Sequence, residues 1–247
     1  MENQRPYIPE LDDIPLSPKQ KRKKYFIRTT VMLLFTAVSF LLFCFRIKLP
    51  LISNMFSVEF SALPETIINF VYGPIYGVAV CLLKNVIHTA VYNQFAIIDF
   101  TNFLIETTYL IVTGALCKKV KGSSNTLSIK AMTVCSLLGI VCALAVQFFA
   151  TSFHLYPILA NKFPGSFTSE RILQSYTDSL DAVRTHLPRA LGSLIPHISH
   201  IWQGVILINL PMTFVKLLLI TPLAAVIQYG LSRLNKKDSE QESVTTS

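Results

Sequence analysis

The chain of 247 residues is 51% hydrophobic and only 15% charged, where a soluble domain carries about a quarter of its residues charged. Its formal charge of +8 is concentrated at the ends of apolar runs, a distribution that orients membrane spans and argues against a nucleic-acid surface. With several runs near the roughly 20 apolar residues that cross a bilayer, the chain reads as an all-α membrane protein: six transmembrane helices in one bundle, both termini cytoplasmic, and an extracellular, partly helical loop before the last span.

Residues 1–24, opening MENQRPYIPELDDIPLSP and ending in KQKRKK, read as a disordered cytoplasmic segment. The first span is predicted from about Tyr25 to Phe45; no small-x-small cleavage site follows it, so it stays uncleaved. A connection punctuated by Pro50 and Pro64 leads to Glu65–Tyr72, the turn Gly73-Pro74 and the run Ile75–Tyr92, a two-span hairpin with almost no loop. The fourth span is about Phe100 to Cys117, closed by KKVKGSSN, and the fifth is Ile129 to Phe153, stopped before Pro157. From Ser169 to His186, Ile172, Leu173, Tyr176, Leu180 and Val183 recur at helical spacing with a polar opposite face, so this helix caps the bundle or lies on the membrane surface. The sixth span is Ile201 to Leu231, interrupted by Pro211 and Pro222. The membrane domain is thus 25–235, with a disordered tail at 236–247. With the N-terminus inside, fourteen of the 22 basic residues fall on the cytoplasmic side and six outside, while Lys84 and Lys216 lie within spans.

Those two lysines carry the most information. Lys216 is some fifteen residues from either end of its run, beyond snorkelling reach, and a charge near mid-bilayer costs at least ~2.5 kcal/mol. It must face protein or a wet cavity, as a ligand contact or simply paired with a carboxylate such as Glu106. Lys84 and His88 share a helix face with Asn85 beside them, and Asp99, Asn102 and Glu106 share another. Glu59 and Glu65 flank Pro64, which suggests the mouth of the hairpin.

No HExxH, GxSxG or Walker A sequence is present. His197-x-x-His200 has metal-ligand spacing but no partner spaced with it, and the five cysteines form no CxxC, so no catalytic or metal residue is assigned. A proton-coupled secondary transporter of a small polar metabolite, relaying through Lys84, His88 and Glu106, stays open, as does a metal enzyme using His88, Glu106 and the histidine pair.

The stretch Phe56-Ser-Val-Glu-Phe-Ser-Ala-Leu-Pro64, then Phe70-Val-Tyr-Gly-Pro-Ile-Tyr-Gly77, then Leu83-Lys-Asn-Val-Ile-His88, resembles the substrate-binding S components of energy-coupling factor vitamin transporters, most nearly the riboflavin type. Thr101-Asn-Phe-Leu104 and Leu210-Pro-Met-Thr-Phe-Val-Lys216 add to the likeness, which covers about residues 25–235. The resemblance implies a non-enzymatic subunit of the bacterial cell membrane, without cofactor, that binds one vitamin such as riboflavin near its outer face. It also implies delivery through a transmembrane coupling protein driven by two ATP-binding cassette ATPases. Combined with the intramembrane polar residues, it gives a site of Glu59, Phe60, Asn85, His88, Asn102, Thr151, Thr213 and Lys216, walled by Phe60, Tyr92, Phe103 and Phe153. Lys216 matches the family lysine; Thr213 and Thr151 stand where the riboflavin type has asparagines. The coupling protein is expected on the first span, at Thr36, Ala37 and Ser39, which have Phe40, Leu41 and Phe43 four residues on.

Overall fold

The computed structural model describes residues 18–45, 47–48, 57–92, 96–121, 128–188 and 192–245. The expectations for residues 1–17 and for the turns around Pro50 and Gly122 lie outside them. Helix α1 (Pro18–Cys44) is followed by a two-residue antiparallel pair, β1 (Ile47–Lys48) with β2 (Ser57–Val58), in which Ile47 faces Val58. Then come α2 (Ala62–Tyr72), α3 (Pro74–Tyr92) and α4 (Ala96–Lys121). Helix α5 (Ile129–Phe149) passes through a π turn (Ala150–Leu155) into α6 (Tyr156–Lys162). After α7 (Ser169–His186), the short α8 (Ile201–Gly204) passes through a second π turn (Val205–Asn209) into α9 (Leu210–Thr245).

Five of these helical stretches are long and apolar enough to cross a membrane: Pro18–Cys44, Pro74–Tyr92, Ala96–Val120, Ile129–Lys162 and Ile201–Ser232. The polarity of their faces is inverted relative to a soluble bundle. In α1 Leu33, Leu34, Val38 and Leu41 are exposed while Thr36 and Ser39 are buried, the arrangement expected when the solvent is lipid. Helix α2 is not among the five. Its 11 residues rise only about 16 Å, half a hydrocarbon core, and Pro64 to Phe70 are all buried. Pro64 does not break it, because first-turn N–H groups need no intrahelical partner. Gly73, at φ 95°, reverses the chain between α2 and α3 with its N–H bonded to the Asn69 carbonyl at 3.0 Å; a side chain there would strain the backbone.

The core lies in three layers along the bundle. At the end carrying Lys118, Lys119 and Lys130, Ile67, Phe70, Cys117, Met132 and Ala224 pack together. The middle layer gathers Cys81, Ile105, Tyr109, Ile140, Leu217 and Ile220, and Tyr109 meets Thr221 at 2.8 Å to tie α4 to α9. The far layer joins Leu155, Tyr156 and Leu159 to Ile172, Tyr176, Val205 and Ile208, so α7 is held against the bundle by the apolar face that its spacing predicts.

Three expectations are corrected. The fifth span does not stop before Pro157: the π turn ahead of the proline absorbs its missing N–H and ring, and the helix runs on to Lys162. The π turn at Val205–Asn209 does the same ahead of Pro211. Residues 236–245, expected as a disordered tail, continue α9, and the polybasic run Lys19–Lys24 is already helical.

Candidate functional site

Level with the middle layer, beside Cys81, Ile105 and Leu217, five charged side chains from separate parts of the chain meet. Lys84 of α3 donates to Glu65 Oε1 at 2.8 Å, to Glu106 Oε2 at 2.6 Å and to Ser61 Oγ at 2.9 Å, using all three hydrogens of its ammonium. Ser39 of α1 lies 2.9 Å from Glu65 Oε1 and 2.8 Å from the Ser61 carbonyl. The Phe43 ring sits 4.9 Å from the lysine nitrogen, within cation–π range. Lys84 and Glu65 are fully buried. A charge pair removed from water this completely persists only where each partner is bonded.

Glu106 joins this pair to a second. Its other oxygen lies 3.4 Å from Lys216 Nζ, which donates at 2.7 Å to Glu59 Oε1, while Glu59 Oε2 accepts the Ser61 N–H at 2.7 Å. Lys216 and Glu59 keep side-chain exposures of 15% and 11%, so the network is sealed at Lys84 and open at Lys216. Among the described residues Lys216 has two partners for three donor hydrogens.

The structure therefore brings Glu59 and Lys216 together, with Phe60 half-buried beside them against the middle layer. It places Glu65 at the centre of the bundle and not at the mouth of a hairpin. Lys84 is fully buried and locked into ion pairs, and Asn85 on the next position is buried with its Oδ1 unpartnered among the described residues. His88 contacts Asp99 at 2.8 Å and packs against Phe43 and Tyr92, with Thr89 also donating to Asp99. Thr151 is buried in the first π turn, and Thr213 is half-buried one turn ahead of Lys216. Phe153 is 65% exposed, so it faces outward and forms no wall. Thr36 and Ser39, expected to meet a partner, turn inward, and only Ala37 of the three is exposed; the small polar residues of α1 serve the bundle. His197 and His200 are exposed, and His200 caps α8 through Gln203.

Glu65, Ser61 and Ser39 were missed as members of the network. The available signal was a count: two intramembrane lysines require acidic partners, and Glu65 and Glu106 both interrupt apolar runs. The donor atoms of Glu65, Cys81 and Glu106 lie within 4.8 Å of one another, but the Lys84 ammonium, bonded to both carboxylates, supplies the positive charge there.

Above the network, Tyr176 of α7 donates to Asn209 Oδ1 in the second π turn, and Tyr156 OH lies 2.6 Å from Tyr176 OH. Burial pushes the Tyr176 hydroxyl well above its ordinary range, so it remains a donor. Gly204 makes this docking possible: a Cβ there would come within 2.4 Å of the Tyr176 ring.

Apolar helices turned outward, with polar groups gathered inside, define a polytopic helical membrane protein. More narrowly, the chain belongs to the family described as ECF transporter, substrate-specific component, whose model matches residues 28–228; this is a family of transporter components and not of enzymes. The chain is similar to the riboflavin transporter FmnP of Bacillus subtilis (strain 168), 27% identical over 45% of this chain and 57% of that protein. It is also similar to the riboflavin transporter RibU of Staphylococcus aureus (strain TCH60), 24% identical over 40% of this chain and 52% of that one. The matches thus span about half the length of these curated relatives. A solved S component of a bacterial ECF transporter shares the fold, with a TM-score of 0.59 at 18% identity, covering 86% of this chain and 99% of the other.

Proposed function

We propose that this protein is the substrate-capture subunit of a vitamin importer in a bacterial cell membrane, and that its ligand is riboflavin or a close chemical relative. The observation that carries the reading is Lys216: a lysine deep in an apolar helix, held between Glu59 and Glu106 yet partly exposed and with donor capacity left over. A vitamin carbonyl or hydroxyl accepting from Lys216 would take up that capacity, and Asn85 Oδ1, buried and unpartnered among the described residues, would accept from a ring or side-chain donor. Glu59, Phe60, His88, Asn102, Thr151 and Thr213 complete the proposed site. The likeness to two riboflavin transporters supports the choice of vitamin. With hydroxyls at Thr151 and Thr213, each position supplies a single rotating donor to the ligand edge.

In this reading α2 serves as a sixth, shortened crossing, and both termini are cytoplasmic, as the basic end of the bundle favours. A transmembrane coupling protein carrying two ATP-binding cassette ATPases would dock on the lipid-facing side of α1 around Ala37, which is flanked by exposed Leu33, Leu34, Val38 and Leu41.

Purification in detergent, with a visible spectrum and mass of the copurifying molecule, tests the ligand. A flavin at near-equal stoichiometry is expected. A different vitamin would move the substrate but keep the class; an empty protein that binds none of a vitamin panel would end the reading. Lys216→Ala is expected to weaken binding about tenfold or more, the loss of a hydrogen bond from a charged donor, and unchanged affinity would remove Lys216 from the site.

A further inference from the structure

At the end of the bundle away from the proposed vitamin site, a groove of ≈ 350 Å³ runs between the first turns of α1 and the end of α2, lined by Gln20, Lys23, Lys24, Ile27, Arg28 and Tyr72. These α1 positions lie on one helix face. No lining residue is acidic, and the α1 stretch supplies Lys19, Lys21 and Arg22 as well. The Arg28 guanidinium lies over aromatic rings, 5.5 Å from the centroid of Tyr72 and 5.8 Å from that of Tyr76. Three cations therefore face one groove with no counter-ion among the described residues.

Position identifies the source. The twenty residues from Tyr25 to Cys44 rise about 30 Å, the thickness of a hydrocarbon core, so Lys23 and Lys24 stand just beyond it, where phosphates lie. Tyr25, Phe26 and Ile27 next to them are 64%, 73% and 48% exposed, apolar surface at the depth of the first acyl carbons. Basic side chains next to aromatic and aliphatic ones at that depth fit a lipid better than a water-borne anion. The geometry points to a binding site for the phosphodiester headgroup of an acidic phospholipid, held by Lys23, Lys24 and Arg28 with the Tyr72 hydroxyl as a neutral donor and the acyl chains lying along Ile27. Such a lipid would brace the start of α1 against the α2–α3 turn.

The test is lipid retention by the full-length protein in detergent micelles. The protein is exposed to an equal mixture of phosphatidylglycerol and phosphatidylcholine, then analysed by native mass spectrometry. Phosphatidylglycerol is expected to be retained at least roughly tenfold over phosphatidylcholine, since each cation near an anionic headgroup is worth about fivefold. The K23A/K24A/R28Q variant is expected to bring the two lipids to parity while binding the vitamin as the parent does. Equal retention by the parent, or a preference that survives the triple substitution, would overturn the site. Displacement of the lipid by millimolar inorganic phosphate would make it a general anion site and overturn the lipid assignment. If the parent shows no lipid preference but the variant loses association with the coupling protein, the groove is a protein-docking face and the lipid proposal fails.

Discussion

Lys84 and Lys216 are both lysines in apolar helices bonded to Glu106, yet they stand in opposite conditions. Lys84 is sealed, with every ammonium hydrogen directed to a partner, and its removal strands Glu65 in a dry interior and leaves Glu106 with Lys216 alone. Lys84→Met is therefore expected to destabilise the protein by about 3–5 kcal/mol, read as a large fall of the thermal midpoint in detergent with or without ligand. Adding Glu65→Gln should recover part of that loss, because Glu106 still has Lys216 3.4 Å away. A Lys84→Met protein that melts like the parent would mean that the pairs contribute nothing to the fold. Of this network the sequence made two lysines and Glu106 legible as intramembrane charges, and it offered Glu106 as a partner for Lys216. It did not make legible that Glu106 is shared, or that Glu65 belongs at the centre, because pairing between α2, α3, α4 and α9 depends on how far each helix slides along its neighbours. Periodicity fixes which face a residue occupies and carries no information on depth.

At the scale of elements, α7 emerged with the bounds Ser169 and His186 that its apolar spacing predicts, since amphipathic periodicity is read directly from residue order. Pro157 misled for the opposite reason. Pro157 reads as a stop, whereas Pro211 lies inside a span predicted to run on; a π turn ahead of each lets both helices continue, and no local pattern distinguishes a helix that ends from one that widens by a residue. The second π turn also supplies a contact of the cap, since Asn209 accepts from Tyr176, and Gly204, the last residue of α8 just ahead of that turn, lies against the same ring. Gly204→Ala is expected to push the Tyr176 ring aside and loosen α7. Overpacking of this kind costs about 1–3 kcal/mol, and here it should appear mainly as faster exchange of α7 amide hydrogens and faster release of the proposed vitamin ligand. Unchanged exchange in α7 would show that the cap is held by other contacts. Pairing the substitution with Tyr176→Phe should worsen the loss, because Tyr156 and Asn209 then lose their shared partner.

Over the whole molecule the apolar layers stack from a basic end to a capped end, and the charge network lies level with the middle one. Composition and the positions of the apolar runs made this much plain from the residues alone, whereas the short, buried α2 was not legible as half a crossing. With both termini inside, a cysteine placed by Ser17→Cys or Ser239→Cys in a chain stripped of its other cysteines should react with an impermeant maleimide only in inverted vesicles. Leu194→Cys, at a position 75% exposed ahead of α8, should react only in right-side-out ones. The reverse pattern would invert the proposed topology and put the lipid groove in the other leaflet. The Lys84–Glu106 pair has one more consequence, for how the chain is made. Helix α3 on its own would bring a bare ammonium into the bilayer and α4 a bare carboxylate, but Tyr92 and Ala96, which end one and begin the other, are so close in sequence that the two leave the ribosome almost together. The pair can thus form within the translocon, and the hairpin can enter lipid already neutralised, with α2, too short to insert alone, drawn in by its turn at Gly73.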